Sequence, residues 1–407
     1  MNYWSFIPFE KLYLIPSRNG LMRSSSVRGV GCSFINMGEL FSNDRIFDIQ
    51  TELVQLNAKE QEDATLKDGD LLFARQSLVF EGAGKCSLVV KLSKITSFES
   101  HLIRVRLNPS VAESAFYYYY FNSPAKPIRQ IVLQCAQAGI RGSDLNKLKV
   151  PYPELEEQKH IADILSAYDD AIENNNRRIK ILEQMAENLY KEWFVRMRFP
   201  GHETAEYENG LPKGWTRDRL EQFIEVDPTV RIPKNAKIKS VPMAALSTTL
   251  MYLDENEITE EPIAAGSRFC NGDVLLAKIT PCLENGKTGF VNFLKDDEYG
   301  CGSTEFIVLR SKTLSPYFVY FLARSPYFRG IAIGSMNGAD GRQRASVSKL
   351  KKMKIVCPAQ SILTQFTTQT SPIFTLIFEL GNLNRKLRHH RDLLLPRLMS
   401  GKMEAMS

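Results

Sequence analysis

The strongest constraint on this chain is a regular pattern of apolar residues between Glu157 and Phe194. Apolar side chains recur there at alternating spacings of four and three residues, and one seven-residue gap holds Asn175. A repeat of this kind predicts a helix that buries one stripe of side chains against another helix. At about 1.5 Å per residue, the stripe is expected to extend over roughly 50 Å.

The second half of the chain repeats the first half. CNGDVLLAKITPCLENGKTGF (270–290) matches GDLLFARQSLVFEGAGK (69–85), which aligns Asp273 with Asp70 and Lys278 with Arg75. From SVSKLKKMKIVCP (346–358) onwards the offset is 205 residues, and it continues through the helical pattern. A duplication of this length predicts two copies of a unit made of a domain and a helix. The stripes of the two helices, which form a predicted helix-pairing seam, contain Ile161, Leu165, Ile172, Asn175, Ile179, Leu182, Leu189, Trp193, Phe366, Ile373, Ile377, Asn384, Leu387, Leu394 and Leu398.

The two seam asparagines predict the relative direction of the helices. Asn175 is the fifth of ten seam positions in the first helix, and Asn384 is the sixth of ten in the second. An antiparallel pair places the two amides opposite each other, whereas a parallel pair leaves both among apolar side chains. Because an unpaired buried polar group costs about 1–3 kcal/mol, the antiparallel arrangement is predicted. The alternative is that both asparagines lie at frayed or hydrated positions.

The predicted fold class is α/β, in the mixed α+β sense. Two similar globular domains, at residues 1–153 and 199–357, are joined by two long helices that form an intramolecular antiparallel coiled coil. The helical segments are predicted at residues 154–198 and 358–407, the second including a C-terminal tail. This connectivity is expected to hold the two domains at opposite ends of the helix pair. The beginning of the first domain carries only Trp4 where the second has LPKGW (211–215), so a shortened first strand is expected.

Charge and geometry together favour double-stranded DNA as the ligand. Lys and Arg number 52 against 46 Asp and Glu, a net charge of +6 that suits nucleic-acid binding but also many neutral enzymes. Two similar domains at a fixed separation match a duplex, whose grooves repeat every 34–36 Å or so. Diverged halves then predict an asymmetric, two-part site. The chain shows no secretory signal and no apolar run long enough to span a bilayer, so the cytoplasm is the expected compartment.

Candidate DNA contacts are basic and amide side chains in loops that the repeat places at corresponding positions. Arg and Gln can bind guanine and adenine edges with two hydrogen bonds, and lysines suit phosphates. A solvated basic loop and an ordinary strand-turn-strand hairpin are the alternatives. The candidates are Arg75, Gln76, Lys85, Gln137, Arg141, Lys147, Lys278, Thr280, Lys287, Arg342, Gln343, Arg344 and Lys349.

Signals of catalysis and of metal binding are missing from the sequence. It has no Walker-type phosphate loop, no strand-linked GxGxxG and no zinc-ligand spacing, so neither catalytic nor metal-binding residues are predicted. The four tyrosines at 117–120 could stack on bases, although an aromatic core stripe in a helix or strand is the simpler interpretation. His389 and His390 are expected on the exposed flank of the second helix.

Several motifs resemble those of the specificity subunit of type I restriction–modification systems. They are PYPELEEQKHIADILSAYDDAI (151–172), LYKEWFVRMRFPG (189–201), LPKGW (211–215), the paired Gly-Asp strands and RDLLLPRLMSGKM (391–403). The resemblance covers essentially the whole chain. It implies two target-recognition domains separated by spacer helices, and a non-catalytic role in directing adenine methylation and DNA cleavage by other subunits.

The resemblance also implies partners and departures from the family pattern. The expected partners are methyltransferase subunits, two per chain, and a motor-nuclease subunit. No cofactor is expected on this chain, because S-adenosylmethionine belongs to the methyltransferase subunit. The second helix carries Ile362 and Leu363 where the first has Glu157 and Gln158, and Thr370 and Arg391 weaken its seam. The second helix is therefore expected to pack against a partner subunit as well as against the first helix.

Two other functions compete with DNA recognition. One is a coiled-coil scaffold that binds only proteins, and the other is an enzyme with unrecognised methyltransferase or nuclease activity. Salt-dependent retention on duplex DNA separates the first from a DNA reader, and methylation by the isolated chain separates the second.

Overall fold

A computed structural model describes residues 4–24, 27–134, 138–233, 236–338 and 342–401. The chain divides into two compact units, which we call unit 1 and unit 2. Unit 1 contains residues 1–172 and 386–407, and unit 2 contains residues 173–385. Among the described helices, none is long and apolar enough to cross a membrane.

Unit 1 is built from short strands and helices followed by the first half of a long helix. Its strands are β1 Ser5–Pro8, β2 Tyr13–Asn19, β3 Arg28–Ile35, β4 Arg45–Ile46, β5 Glu52–Val54, β6 Leu71–Ala74, β7 Gln76–Ser77, β8 Cys86–Val89, β9 Thr96–Phe98, β10 Leu102–Leu107, β11 Leu133–Gln134, β12 Ala138–Gly139 and β13 Lys149–Tyr152. Its helices are α1 Met37–Ser42, α2 Ala58–Ala64, α3 Ser114–Asn122, α4 Gly142–Lys147 and α5 Leu155–Tyr190, which continues into unit 2.

Unit 2 likewise contains short strands and helices followed by a long helix. Its strands are β14 Tyr207–Glu208, β15 Leu211–Pro212, β16 Thr216–Arg219, β17 Ile224–Val226, β18 Lys237–Val241, β19 Thr259–Glu261, β20 Ser267–Phe269, β21 Val274–Ala277, β22 Thr288–Phe290, β23 Glu298–Gly302, β24 Phe306–Ser311 and β25 Lys354–Cys357. Its helices are α6 Leu220–Phe223, α7 Pro316–Arg324, α8 Pro326–Gly334, α9 Val347–Lys352 and α10 Gln360–Leu398, which continues into unit 1.

The central sheets of the two units share the order of four strands, and unit 1 has β4 as an additional edge strand. The order is β2-β10-β6-β8-β4 in unit 1 and β17-β24-β21-β22 in unit 2. The Gly-Asp motif precedes the buried strand β6 or β21, and its aspartate binds an arginine on the adjacent strand. Asp70 accepts two hydrogen bonds of 2.7 Å from Arg106, and Asp273 accepts bonds of 2.8 and 2.6 Å from Arg310. The duplicated motif is thus a fold element in which the buried carboxylate is neutralised by a paired charge.

The first strand of unit 1 is as long as its counterpart. β1 pairs antiparallel with β13 over four residues, and β16 pairs with β25 over four residues. Trp4 directly precedes β1 as Trp215 precedes β16, and the Trp4 indole donates a 3.1 Å hydrogen bond to Glu157. The expectation of a shortened first strand was therefore wrong, because one tryptophan and its carboxylate partner suffice to anchor the strand.

The tyrosine-rich segment is helix α3, and its rings form part of the core. Tyr117, Tyr118 and Tyr119 are buried beside Phe9 and Phe116. In unit 2 the equivalent helix α7 contributes Phe318 and Phe321 to a cluster with Phe374. The aromatic stripe therefore stabilises each unit from within, as the simpler interpretation predicts.

In unit 2 the long helices pair antiparallel around the two asparagines. The Asn175 side-chain amide donates a 2.8 Å hydrogen bond to Asn384, whose own amide donates a 2.9 Å bond to Asn176. Further along α5, Trp193 lies against Phe366 with ring centroids 6.0 Å apart. From the Asn175–Asn384 contact to the Trp193–Phe366 contact, residue numbers rise along α5 and fall along α10. The helices are therefore antiparallel, as the positions of the two asparagines in the seam predict.

In unit 1 the same two helices pair in the same direction. Leu165 of α5 and Leu398 of α10 lie in one buried cluster. Next to them, Arg391 forms an ion pair with Asp169, which also accepts a 2.6 Å hydrogen bond from the Tyr119 hydroxyl. Burial, and secondarily the Asp169 carboxylate, raise the pKa of Tyr119.

The residues expected to weaken helix two each have a partner inside the chain. Thr370 is fully buried and its hydroxyl donates a 2.8 Å hydrogen bond to the Phe366 carbonyl. Ile362 and Leu363 are buried in the main apolar cluster of unit 2, where no hydrogen-bonding group is needed. Gln158, by contrast, is fully buried and accepts a 2.9 Å bond from the Glu113 amide. The start of α5 is therefore held by the hydrogen bonds of Gln158, whereas the start of α10 is held by the apolar packing of Ile362 and Leu363.

The predicted seam residues are all buried or half-buried. The buried ones are Ile161, Leu165, Ile172, Asn175, Ile179, Trp193, Phe366, Ile377, Asn384 and Leu398, and the half-buried ones are Leu182, Leu189, Ile373, Leu387 and Leu394.

Candidate nucleic-acid interface

Three segments of unit 2 meet beyond the end of strand β21 and bring several predicted residues together. Arg344 forms antiparallel bridges with both Ile279 and Asn337. The Thr280 amide donates a 3.0 Å hydrogen bond to the Gln343 carbonyl, and the Ala345 amide donates a 2.8 Å bond to Lys278. We call residues 278–280, 337 and 342–345 the unit 2 ladder.

Unit 1 contains the same arrangement at corresponding positions. Strand β12 lies between β7 and β11, with Gly139 opposite both Gln76 and Leu133. The Ile140 amide donates a 2.9 Å hydrogen bond to the Arg75 carbonyl, as Ala345 does to Lys278 in unit 2. We call residues 75–77, 133–134 and 138–140 the unit 1 ladder. The duplicated strand ends and the duplicated basic loops, which are far apart in sequence, therefore form one surface in each unit.

The ladders and the segments beside them carry polar side chains that solvent can reach. Arg75, Gln76, Thr280 and Gln343 are half-buried, and Arg342 is exposed. Arg141 is exposed at the beginning of α4, and Lys147 and Lys349 are exposed on α4 and α9. Gln137 lies outside the described residues. These positions suit contact with an external ligand in both units.

Arg344 is the most highly organised cation of either ladder. Its Nε lies 2.9 Å from both carboxylate oxygens of Glu305, and its Nη2 lies 2.7 Å from Oε1. The hydrogen bond with Arg344, partly opposed by burial, lowers the pKa of Glu305, to which the charges of Arg344 and Lys278 also contribute. The guanidinium is therefore fixed in direction while almost half of the side chain stays exposed (47%).

Two of the predicted lysines bind the backbone of their own unit instead. The Lys85 ammonium donates a 2.8 Å hydrogen bond to the Phe41 carbonyl and pairs with Asp44 at 3.0 Å. The Lys287 ammonium donates a 3.0 Å bond to the Met243 carbonyl. Both are half-buried, and the repeat uses them in the same way, to tie a neighbouring segment to the strand.

Sequence reasoning missed an apolar tip beside the unit 1 ladder. Leu78 is 88% exposed and Val79 is 59% exposed, directly after β7. The tip is fixed by a 3.2 Å hydrogen bond from the Val79 amide to the Ser77 hydroxyl. Val79 also borders a cavity of about 370 Å³ lined by Lys85, Lys126 and Arg129, among others. The signal in the sequence is the short apolar run from Leu78 to Phe80 between polar neighbours.

Comparison with known proteins shows which proteins this chain resembles. Residues 19–184 match the family model described as type I restriction modification DNA specificity domain. The MjaIX type I restriction enzyme specificity subunit of Methanocaldococcus jannaschii is 26% identical over 305 residues, covering 72% of this chain and 69% of that protein. The EcoAI specificity subunit of Escherichia coli is 31% identical over 172 residues, covering 40% of this chain and 29% of that protein. Residues 19–184 therefore form a type I restriction modification DNA specificity domain, and the chain as a whole is similar to type I specificity subunits.

The fold of a type I specificity subunit extends over the whole chain. A crystal structure of a type I restriction-modification system S subunit from M. genitalium aligns with a TM-score of 0.57 at 13% identity, covering 99% of this chain and 97% of that chain. The HindI specificity subunit of Haemophilus influenzae, 21% identical, covers 91% of this chain and 94% of that protein. Mixed α/β units and long paired helices are therefore features shared with a specificity subunit, and the matched domain at 19–184 contains the unit 1 ladder.

Proposed function

We propose that this chain is the DNA-reading specificity subunit of a type I restriction–modification complex and that each ladder contacts one half of a two-part DNA site. The observation that carries the proposal is the repetition of the ladder itself. In both units the same backbone hydrogen bonds hold the strand end and the basic loop side by side. Arg and Gln side chains at such positions have the donors and acceptors needed to bind base edges.

The two ladders carry different side chains on the same frame, which supports recognition of an asymmetric site. Gln76 in unit 1 corresponds to Ile279 in unit 2, because each bridges the central segment of its ladder. Gly139 corresponds in the same way to Arg344. Since bases are distinguished by hydrogen-bonding pattern, the two half-sites should differ in sequence. The exposed lysines near each ladder, Lys147 and Lys349, would contact phosphates and fix the position of the unit on the duplex.

In this proposal the chain has no catalytic activity of its own. Methyltransferase subunits, two per chain, would bind S-adenosylmethionine and methylate adenine, and a motor-nuclease subunit would cleave the DNA. The place of action would be the cytoplasm. Residues 1–153 and 199–357 would be the target-recognition domains, and residues 154–198 and 358–407 would be the spacer helices. Lys85 and Lys287 are not among the proposed DNA contacts, since each binds a backbone carbonyl of its own unit.

A methylation experiment tests this function. The assembled complex is incubated with plasmid DNA and S-adenosylmethionine, and methylated adenines are mapped. We expect methylation within one two-part, asymmetric sequence, and none when the chain is omitted or supplied alone. A complex that methylates without sequence preference would contradict recognition by this chain. Methylation by the isolated chain would indicate an enzyme, and retention of duplex DNA that does not weaken with salt would also contradict the proposal.

A further inference from the structure

We propose that Arg344 reads a guanine in the half-site bound by unit 2, and that Glu305 is the residue that positions it. This inference rests on the proposed function, because it assigns a base to one of the two DNA-reading surfaces. The ion pair with Glu305 occupies some of the N–H donors of Arg344 and leaves the others available to a ligand.

Glu305 binds the side edge of the Arg344 guanidinium. A guanidinium has five N–H donors, of which one lies on Nε and two lie on each Nη nitrogen. Glu305 takes the Nε donor and one donor of Nη2. The remaining Nη2 donor and the two Nη1 donors form the end of the fork, where the contact present is a 3.4 Å bond from Nη1 to the Arg342 carbonyl. Two parallel donors at this end match the O6 and N7 acceptors of guanine.

Glu305 is held through its backbone and its side chain is mostly buried, which limits the directions that the Arg344 fork can take before DNA binds. The Glu305 amide donates a 3.1 Å hydrogen bond to the Ser303 hydroxyl, and the Glu305 carbonyl accepts a 2.9 Å bond from Lys278. Only 22% of the Glu305 side chain is exposed. Ordering a free arginine costs side-chain entropy on binding, and prior fixation reduces that cost. A fork that is directed in advance suits a bidentate contact with the planar acceptor edge of a base.

At the corresponding ladder positions, which the structure describes, unit 1 has no equivalent of this pair. The ladder position of Arg344 is occupied by Gly139, and that of Glu305 by His101, whose carbonyl accepts from Arg75 as Glu305 accepts from Lys278. A Cβ added to Gly139 would lie 2.9 Å from the Arg75 carbonyl oxygen, which is too close for an unchanged backbone. The guanine contact is therefore confined to one half-site.

The experiment uses the complex of the full chain with its methyltransferase subunit and a library of duplexes randomised across both half-sites. Methylated molecules are sequenced for the unchanged chain and for R344K, R344Q and E305Q. R219K is the matched control, because Arg219 is an exposed arginine of unit 2 that also pairs with a glutamate, Glu221 at 3.7 Å.

We expect the unchanged complex to require guanine at one position of one half-site. R344K should reduce that preference by about 5- to 150-fold, R344Q should shift it toward adenine, and E305Q should weaken it at the same position. The other positions, and the R219K profile, should stay unchanged. This pattern separates a positioning role for Glu305 from a structural one, since loss of folding would lower methylation of all sequences alike.

Three results would overturn the proposal. Unchanged base preferences in R344K and R344Q would show that Arg344 reads no base. An equal loss across all sequences, with a smaller dependence on salt, would make Arg344 a phosphate contact. If R344K lost the guanine preference at that position and E305Q kept it, Glu305 would have no role in positioning Arg344. Absence of any preference in the unchanged complex would defeat the proposed function along with this inference, whereas the first three results would leave that function intact.

Discussion

Asn175 and Asn384 bond to each other through their side-chain amides inside the helix pair of unit 2. Both are almost completely buried, at 5% and 0% exposure. A buried amide at a seam position lowers stability but selects one register and direction, because any other alignment leaves it without a partner. The pair is therefore the part of the seam that specifies how the helices align.

Replacement of one asparagine should cost more than replacement of both. We expect Asn175→Leu to lower the free energy of unfolding by about 1–3 kcal/mol, because the Asn384 oxygen loses its donor. Asn175→Leu combined with Asn384→Leu should recover much of that loss. Urea unfolding of the two single variants and the double variant measures the coupling. Single variants as stable as the unchanged chain would show that the amide pair contributes nothing.

The partly buried ion pair of Asp169 and Arg391 should be replaceable by the residues that the repeat uses in unit 2. The 205-residue offset aligns Asp169 with Phe374 and Arg391 with Ala186, both of which are buried. We expect Asp169→Ala alone to cost about 1–3 kcal/mol, since the half-buried Arg391 then keeps, among the described residues, only the more exposed Asp392 as its partner. Asp169→Phe with Arg391→Ala should restore most of the stability.

Thermal unfolding measures this exchange, with Asp163→Ala at an exposed position of the same helix as the control. The control should leave the unfolding temperature nearly unchanged. A double variant as unstable as Asp169→Ala would show that the Tyr119 hydroxyl, which also bonds Asp169, requires the carboxylate.

Glu183 should make unit 2 less stable as the pH rises from about 4.5 to 7. Burial raises the pKa of this carboxyl from 4.5 to about 7, partly offset by a hydrogen bond from the Met251 amide and the charge of Arg324. Between these two values the folded chain keeps a proton that the unfolded chain has lost. The stabilisation is therefore complete below the unfolded pKa and is lost through the folded pKa, by an amount on the order of 3 kcal/mol.

Glu183→Gln is the matched variant, because its amide does not titrate. As the pH rises from 4 to 8, the free energy of unfolding of the unchanged chain should fall relative to that of Glu183→Gln. A difference that is independent of pH would mean that Glu183 titrates normally.

Deleting one heptad from each helix should change the spacing between the half-sites and leave the half-sites themselves unchanged. Removing residues 176–182 together with 381–387 takes out about 10 Å of helix, which corresponds to roughly three base pairs. Mapping methylated adenines in DNA modified by the variant complex measures the new spacing. The same spacer length in the variant would show that the helices do not determine it.

The helix pair was predictable from sequence because its signals are local and repeated. The spacing of Ile161, Leu165 and Ile172 indicates a helical stripe, and the duplication identifies the partner helix. Arg391 looked like a weakness because its partner, Asp169, lies outside the strict seam positions. A charge pair between distant segments has no periodicity, so it becomes visible only when both helices are in register.

The candidate interface was predictable in composition but not in contacts. Lys85 and Arg344 both looked like free cations in loops, yet one binds a backbone carbonyl and the other a carboxylate. Which one faces a ligand depends on how three separate segments align in the ladder, and that alignment is set by backbone hydrogen bonds. The register that places Gly139 where unit 2 has Arg344 could not be read from either segment alone.

The division of the chain also constrains the order in which it can fold during synthesis. Unit 2 is a continuous stretch, residues 173–385, whereas unit 1 is completed by residues 386 onward. Leu395 and Leu398 reach the cluster around Leu165 only after the intervening residues have been made. At typical translation rates that delay is roughly ten to forty seconds. The unit that is synthesised first therefore keeps an uncovered apolar surface until α10 has been made.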